Sequence, residues 1–304
     1  MITFAQTLID GLSLGSLYAL VALGIGLLFG ILRLINLAHG DFITIGAYAL
    51  IVPSADITTR MLLGNLDPWL LVPSIALIVV IVALLVDALT FRALRAVPPS
   101  TLMVASFAVS YVLQNGLIVF YGARAKAANL WPELGASLTL GALRLPVMQI
   151  VTIATTLILM AALGAFLKHT PYGVQMRAAA EDAKMARYLG IRANRVIGMA
   201  FAISGILAAV VSLLFLSQTG GLAPTMGMPL ALFGFVAVVI GGMGSLVGAA
   251  LGGLSIGMVV IFLQAYLPAD LRAFRDAFAF AFVILILLVR PAGLVRVQAN
   301  QQRV

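Results

Sequence analysis

The chain has 304 residues, of which 63% are hydrophobic and 9% charged, with a mean hydropathy of +1.16. Soluble domains are about 45–50% apolar and about 25% charged, so a soluble enzyme, a nucleic-acid-binding domain and a disordered chain are excluded. What remains is an all-α polytopic membrane protein, in which the net charge of +8 reads as positive cytoplasmic loops. The apolar runs are continuous, which excludes a transmembrane barrel with its alternating strands. Cysteine is absent, and with it any disulfide framework, thiolate nucleophile or Cys-based metal site.

In chain order, residues 5–31 form a long apolar stretch broken only by Asp10 and several glycines. The first basic residue is Arg33, so this stretch lacks the positive start of a secretory signal. A polar break from Arg33 to Asp41 follows, then a short apolar run, 42–53, that Pro53 ends. That run is too short to span alone, so it starts inside the Asn36–Asp41 segment or is re-entrant. Further apolar stretches cover 69–91, 101–121, 146–167, 196–217, 229–244, 246–267 and 274–290. Most approach the ~20 residues that cross ~30 Å of hydrocarbon. The 229–267 region is too long for one helix and breaks at Gly241-Gly242-Met243-Gly244-Ser245. Eight or nine crossings with Gly-rich broken segments are expected, in one transmembrane domain spanning 1–304.

Loop charge orients the chain. Segment 168–195 carries Lys168, Arg177, Lys184, Arg187, Arg192 and Arg195 against Glu181 and Asp182, which places it in the cytoplasm. Arg92 and Arg95 lie two crossings earlier on the same side, and Arg290, Arg296 and Arg303 place the C-terminal tail there too. Loop 122–145 falls outside by parity despite Arg124, Lys126 and Arg144. An outside N-terminus then requires nine crossings and an inside one eight.

Residues 174–189 are good helix formers, with Arg177/Glu181 and Glu181/Lys184 spaced to pair on one face. Met176, Ala179, Ala180, Ala183, Met185, Ala186 and Leu189 supply an apolar surface of mostly small residues, suited to docking against protein. Gly190 stands at the C-terminal cap position. A helix of about four turns is expected in this loop.

Here the chain resembles a family. Ala180-Glu181-Asp182, Ala186-Arg187 and Leu189-Gly190-Ile191 resemble the cytoplasmic coupling loop of ABC importer permeases. Gly11 to Leu20, with Gly30-Ile31 and Ile35-Asn36-Leu37-Ala38-His39-Gly40-Asp41, resembles the opening of branched-chain amino acid permeases. Gly241 to Ser245, with Gly248-Ala249 and Gly252-Gly253, resembles their late Gly-rich stretch. One departure is Asp41, where Glu is commoner. The resemblance implies a multi-pass permease of the bacterial inner membrane that takes branched-chain or related amino acids, with urea and short amides as alternative substrates. It implies a second homologous permease subunit, two cytoplasmic ATPase subunits and a periplasmic substrate-binding protein as partners. It also makes Glu181, Asp182, Ala186 and Gly190 the ATPase-coupling positions.

The chain holds no energy source of its own. A P-loop needs Gly-Lys-Ser/Thr, and none of the three lysines follows a glycine. No cofactor, metal constellation or catalytic role is expected; His39 and His169 lack carboxylates at ligand spacing. An ion-coupled secondary transporter is the alternative, with Asp10, His39, Asp41, Asp87 and Asp276 as proton-relay candidates, each at the end of an apolar run. A hydrolase using Ser245 and His39 is the third class, but small residues around Ser245 fit tight helix packing better.

Candidates for the translocation path are Asn36, His39, Asp41, Gln114 and Asn115. Irregular backbone at membrane depth survives only where protein or a water-filled cavity satisfies it. The competing reading makes Arg33–Asp41 a cytoplasmic turn, with Asp41 capping the next helix and Gln114 and Asn115 bonding between helices. Gly241, Gly242, Gly244 and Gly248 are expected to break and pack helices.

Overall fold

A computed structural model describes residues 2–295 apart from 34, 57, 96, 141–142 and 292. Arg296, Arg303 and the rest of the tail lie outside the described residues. The helices are α1 (Ile2–Leu32), α2 (His39–Tyr48), α3 (Pro68–Val86), α4 (Pro99–Tyr121), α5 (Val147–His169), α6 (Pro171–Glu181), α7 (Ala183–Tyr188), α8 (Ala193–Thr219), α9 (Gly227–Gly241), α10 (Leu246–Tyr266) and α11 (Arg275–Val289). Each apolar stretch of the sequence becomes one of these helices. Among the described residues, six are long and apolar enough to cross a membrane, not eight or nine. The apolar helices α9 and α11 have 15 residues each and α2 has 10, below the ~20 that a crossing needs.

The bundle is built around α1, which packs against α5, α8, α9 and α10. The α1–α10 contact is close because its seam is made of small residues: a Cβ on Gly253 would fall on the backbone of Ala19, and one on Gly257 would fall on Gly15. Small residues allow such backbone approach where water supplies no hydrophobic drive between helices. Tyr18, Phe233 and Phe280 stack in series, with ring centroids 5.1 and 5.4 Å apart. On the outer helices α3, α5 and α11, Leu77, Ile158 and Leu288 are largely exposed. That face suits acyl chains; water would not tolerate it.

The two ends of the bundle differ. At one, Arg144 N–H donates to Gln6 Oε1 (3.1 Å), and Phe4 packs edge-on against Phe262. Short strands β1 (Lys126–Ala127), β2 (Ser137–Leu140), β3 (Leu143–Pro146) and β4 (Gly221–Leu222) form two antiparallel pairs, β1 with β4 and β2 with β3. Lys126, buried, donates to the Ser54 carbonyl. At the other end, Ile31 and Leu32 of α1 line a cavity of about 150 Å³ with Arg95, Ala179, Ala186 and Arg187. The backbone at Leu294 and Val295 bonds to Ile240 and Gly241 there (2.7 and 3.0 Å).

The expected single helix over 174–189 is two. Asp182 is extended (φ −145°), and its Oδ1 accepts from Met185 N–H at 2.9 Å. A short acidic side chain that caps a new helix competes with continuing the old one. No ion pair forms between Arg177 and Glu181 among the described residues. Gly190, at φ +84°, closes α7: its N–H bonds to Arg187 O and the Ile191 N–H to Ala186 O, both at 3.0 Å. This is the paired Schellman arrangement that a left-handed residue permits.

Candidate functional site

The break after α1 covers residues 33–38 and opens on Arg33, a non-glycine residue at φ +53°. Asn36 stabilises the turn by accepting the Ala38 N–H at Oδ1 (3.2 Å). α2 then enters the bundle, and His39, Gly40, Asp41, Phe42, Ile43 and Thr44 are all buried. A turn is present, but the residues after it are not solvent-facing and Asp41 does not cap α2. Arg33 is exposed, but Asp41 is 1% exposed and caps nothing.

His39 and Asp41, two residues apart, point to opposite sides of α2. His39 rests against Gly24, where a Cβ would stand 2.5 Å from the imidazole, and its Nδ1 lies 3.0 Å from Ser204 Oγ. Ser204 also reaches the Gly24 carbonyl (3.2 Å). Asp41 faces α4, where Gln114 Nε2 donates to its Oδ1 (2.9 Å) and to Ser110 Oγ (3.1 Å). Asn115 does not join them: its Nδ2 bonds back to Tyr111 O of its own helix (2.7 Å). Five candidates thus resolve into an α2–α4 contact, an α1–α2–α8 contact, a local turn and a residue apart.

Gly40 meets Gly227 at the start of α9, and Thr44 Oγ1 accepts the Gly227 N–H (3.1 Å). The late glycines form a second close contact. A Cβ on Gly241 would overlap the Gly248 backbone, and Gly242 and Gly244 sit at φ +105° and +99° in the turn. Ser245 caps α10 by accepting the Gly248 N–H (2.9 Å). It serves helix geometry.

At the α6–α7 end, Met176, Ala179 and Ala186 turn into the bundle, while Glu181, Asp182 and Gly190 are exposed. The alanine surface therefore packs against the protein's own helices. The outward surface is Met185, Tyr188 and Leu189, exposed by 52%, 74% and 76%. Beside them lies a cluster of which only Asp87 was a candidate, as a proton relay and not as the partner of Arg95. α3 ends in a π-helical turn, Asp87–Phe91, and Arg95 returns to clasp Asp87 with Nη2 at 2.7 and 2.8 Å. Arg95 Nη1 also donates to Asn194 in the first turn of α8. The signal was available, since an Asp within an apolar helix and an Arg eight residues later are expected to pair. Ser106, Ser110 and Ser204 also went unnamed; serines in apolar helices carry little signal, because self-bonding to the preceding turn satisfies them.

Residues 7–288 match the family described as "Branched-chain amino acid transport system / permease component". The high-affinity branched-chain amino acid transport system permease protein LivH of Salmonella typhimurium is 34% identical over 300 residues, covering 96% of this chain and 95% of that protein. The corresponding protein BraD of Pseudomonas aeruginosa is 33% identical over 302 residues, with the same coverage. In solved structures, PsaBC from Streptococcus pneumoniae superposes with a TM-score of 0.53 at 12% identity, over 96% of this chain and 93% of that one, a likeness of fold alone. With that family match over residues 7–288 and relatives 33–34% identical over nearly the whole length, the chain belongs to the family of branched-chain amino acid transport system permease components.

Proposed function

We propose that the chain is the membrane-spanning permease subunit of an ATP-driven importer of branched-chain amino acids in a bacterial inner membrane. A second homologous permease, two cytoplasmic ATPases and a periplasmic binding protein complete the transporter. The near-full-length likeness to proteins named for that transport carries the substrate, ahead of urea or short amides. The α6–α7 pair supports the coupling. Its inner face is anchored on the bundle, Gly190 closes it, and Glu181, Asp182, Met185, Tyr188 and Leu189 are left for an ATPase cleft. Ion coupling is disfavoured because its other carboxylates are engaged: Asp10 with Gln6 and Gln149 (3.1 and 2.9 Å), Asp87 with Arg95, Asp276 with Arg275 (3.0 Å).

In this reading the single domain spans 1–304 and passes nine times between its two faces, with α2, α9 and α11, too short to cross as helices alone, reaching those faces with their flanking residues. The C-terminal end of α1 shares its end of the bundle with α6–α7, which supports an outside N-terminus and a cytoplasmic C-terminus. The bonds from Leu294 and Val295 to the same end support this. Burial of Lys126 at the opposite end removes one of the charges that made loop 122–145 anomalous. Asn36, His39, Asp41 and Gln114 border the path; Asn115 serves α4.

Vesicles carrying the whole complex test the reading. With ATP inside and the binding protein outside, labelled leucine should accumulate and persist after proton and sodium gradients are collapsed. Uptake that stops with the gradients while ATP stays high refutes it.

A further inference from the structure

Ser106, Ser110, Gln114, Leu117 and Tyr121 follow one another on α4 at spacings of four, four, three and four, one face of a helix. Four of the five are polar, whereas Val104, Phe107, Val112 and Val119 point outward. The polar face lies on α2 and the turn before it. Leu37 N–H donates to Ser106 Oγ (3.3 Å), Gln114 holds Asp41 Oδ1, and the Tyr121 ring meets Tyr48 edge-on with centroids 4.8 Å apart. Asp41 and Tyr48, seven residues apart, share the face of α2 that looks at α4.

This seam is incompletely satisfied. Asp41 Oδ2 and the Tyr48 hydroxyl are buried and without a hydrogen-bond partner, as is Asn36 Nδ2 at its foot. No cation meets the carboxylate: among the described residues the ion pairs are Asp87–Arg95 and Arg275–Asp276, and His39 turns the other way, to Ser204. Lone carboxylates at membrane depth are costly, and they pair or mark a substrate path. The helix closing the seam is also the least anchored of the six long ones. α4 rests chiefly on α2 and the Asp87–Phe91 turn, and most of its surface is free.

We propose that the α2–α4 seam is a binding site for a primary ammonium group, with Asp41 Oδ2 as the anionic acceptor, entered when α4 swings off α2. The proposal rests on the amino-acid import reading and names the group of the zwitterion that the membrane domain itself recognises. Gln114 is the positioning residue: by holding Oδ1 it aims Oδ2 into the seam. Tyr48, about two helical turns further along the same wall, offers the next polar stop. A single charge complements any primary amine, so side-chain selection is left to the binding protein.

The test uses the complete transporter in vesicles with its binding protein, comparing wild type with Asp41→Asn and Asp41→Glu. At equal recovery of assembled complex, Asp41→Asn should cut the kcat of leucine uptake at least tenfold with KM unchanged, since KM reports capture by the binding protein. Asp41→Glu should retain at least half. Isopentylamine at millimolar concentration should raise the unfolding temperature of the wild-type complex but not of Asp41→Asn, and 4-methylpentanoate should affect neither. Wild-type uptake by Asp41→Asn overturns the site, as does an amine shift that survives the substitution. Loss of assembled complex in both variants makes Asp41 a packing residue and overturns it equally. A wild-type complex that imports no amino acid would instead refute the import reading.

Discussion

Gly40→Ala probes the contact that holds the two short central helices, α2 and α9, together. The new methyl would stand 2.5 Å from the Gly227 carbonyl oxygen, 2.8 Å from its carbon and 3.0 Å from Ala231 Cβ. Real Cβ contacts lie beyond 3.0 Å, so the helices must part by about 0.5 Å or more, and the obstacle is backbone that cannot rotate away. Overpacking of this kind costs about 1–3 kcal/mol. Separation also stretches the Gly227 N–H to Thr44 bond, 3.1 Å in the native contact, worth about 0.6 kcal/mol between membrane helices. The sum, about 2–3.5 kcal/mol, is a loss of about 30- to 300-fold in the folded-to-unfolded ratio. Gly164→Ala is the control. It lies mid-helix in α5 with nothing within 4 Å of a new Cβ, so relief of backbone entropy should stabilise by about 0.5–1 kcal/mol. Unfolding of the purified protein by SDS in mixed micelles reads both. The midpoint should fall for Gly40→Ala and rise for Gly164→Ala. A wild-type midpoint for Gly40→Ala would refute the close α2–α9 approach.

Three further outcomes follow from the coupling end and the topology. Gly190→Val adds a branched side chain at φ +84° in open space, so its effect is conformational. With Glu181→Arg, it should leave membrane abundance near normal while cutting transport and loosening ATPase co-purification; a proportional fall of abundance and transport would make the segment structural. Asp87→Asn strands Arg95, whose side chain is 10% exposed, and should destabilise by about 3–5 kcal/mol. Asp87→Asn/Arg95→Gln should recover much of that loss, and no recovery in thermal unfolding would mean that the pair is not the reason. Because the native chain has no cysteine, Met185→Cys should resist an impermeant thiol reagent in intact cells while Leu138→Cys reacts. The reverse pattern would invert the topology.

Much of the architecture is local in origin and so legible in the chain. A membrane helix must satisfy its backbone within itself, so apolar length alone places α1, α3, α4, α5, α8, α10 and α11 to within a few residues. The glycine turn at 242–245 and the left-handed cap at Gly190 are likewise short-range matters of φ. What the sequence could not settle is which way each polar group faces. Asn36, His39 and Asp41 read as one cluster, yet the helical twist sends His39 to α8 and Asp41 to α4. Gln114 and Asn115 are neighbours, yet one crosses to α2 and the other bonds its own helix. Whether an Arg33–Asp41 break is a wet turn or a buried half-helix depends on α8 and α9, which close over it through Ser204 and Gly227, 165 and 183 residues from their partners His39 and Thr44. Membrane helices are chosen by length and oriented by charge, but their rotation is decided by small residues and single hydrogen bonds with distant partners, and only the assembled bundle determines those.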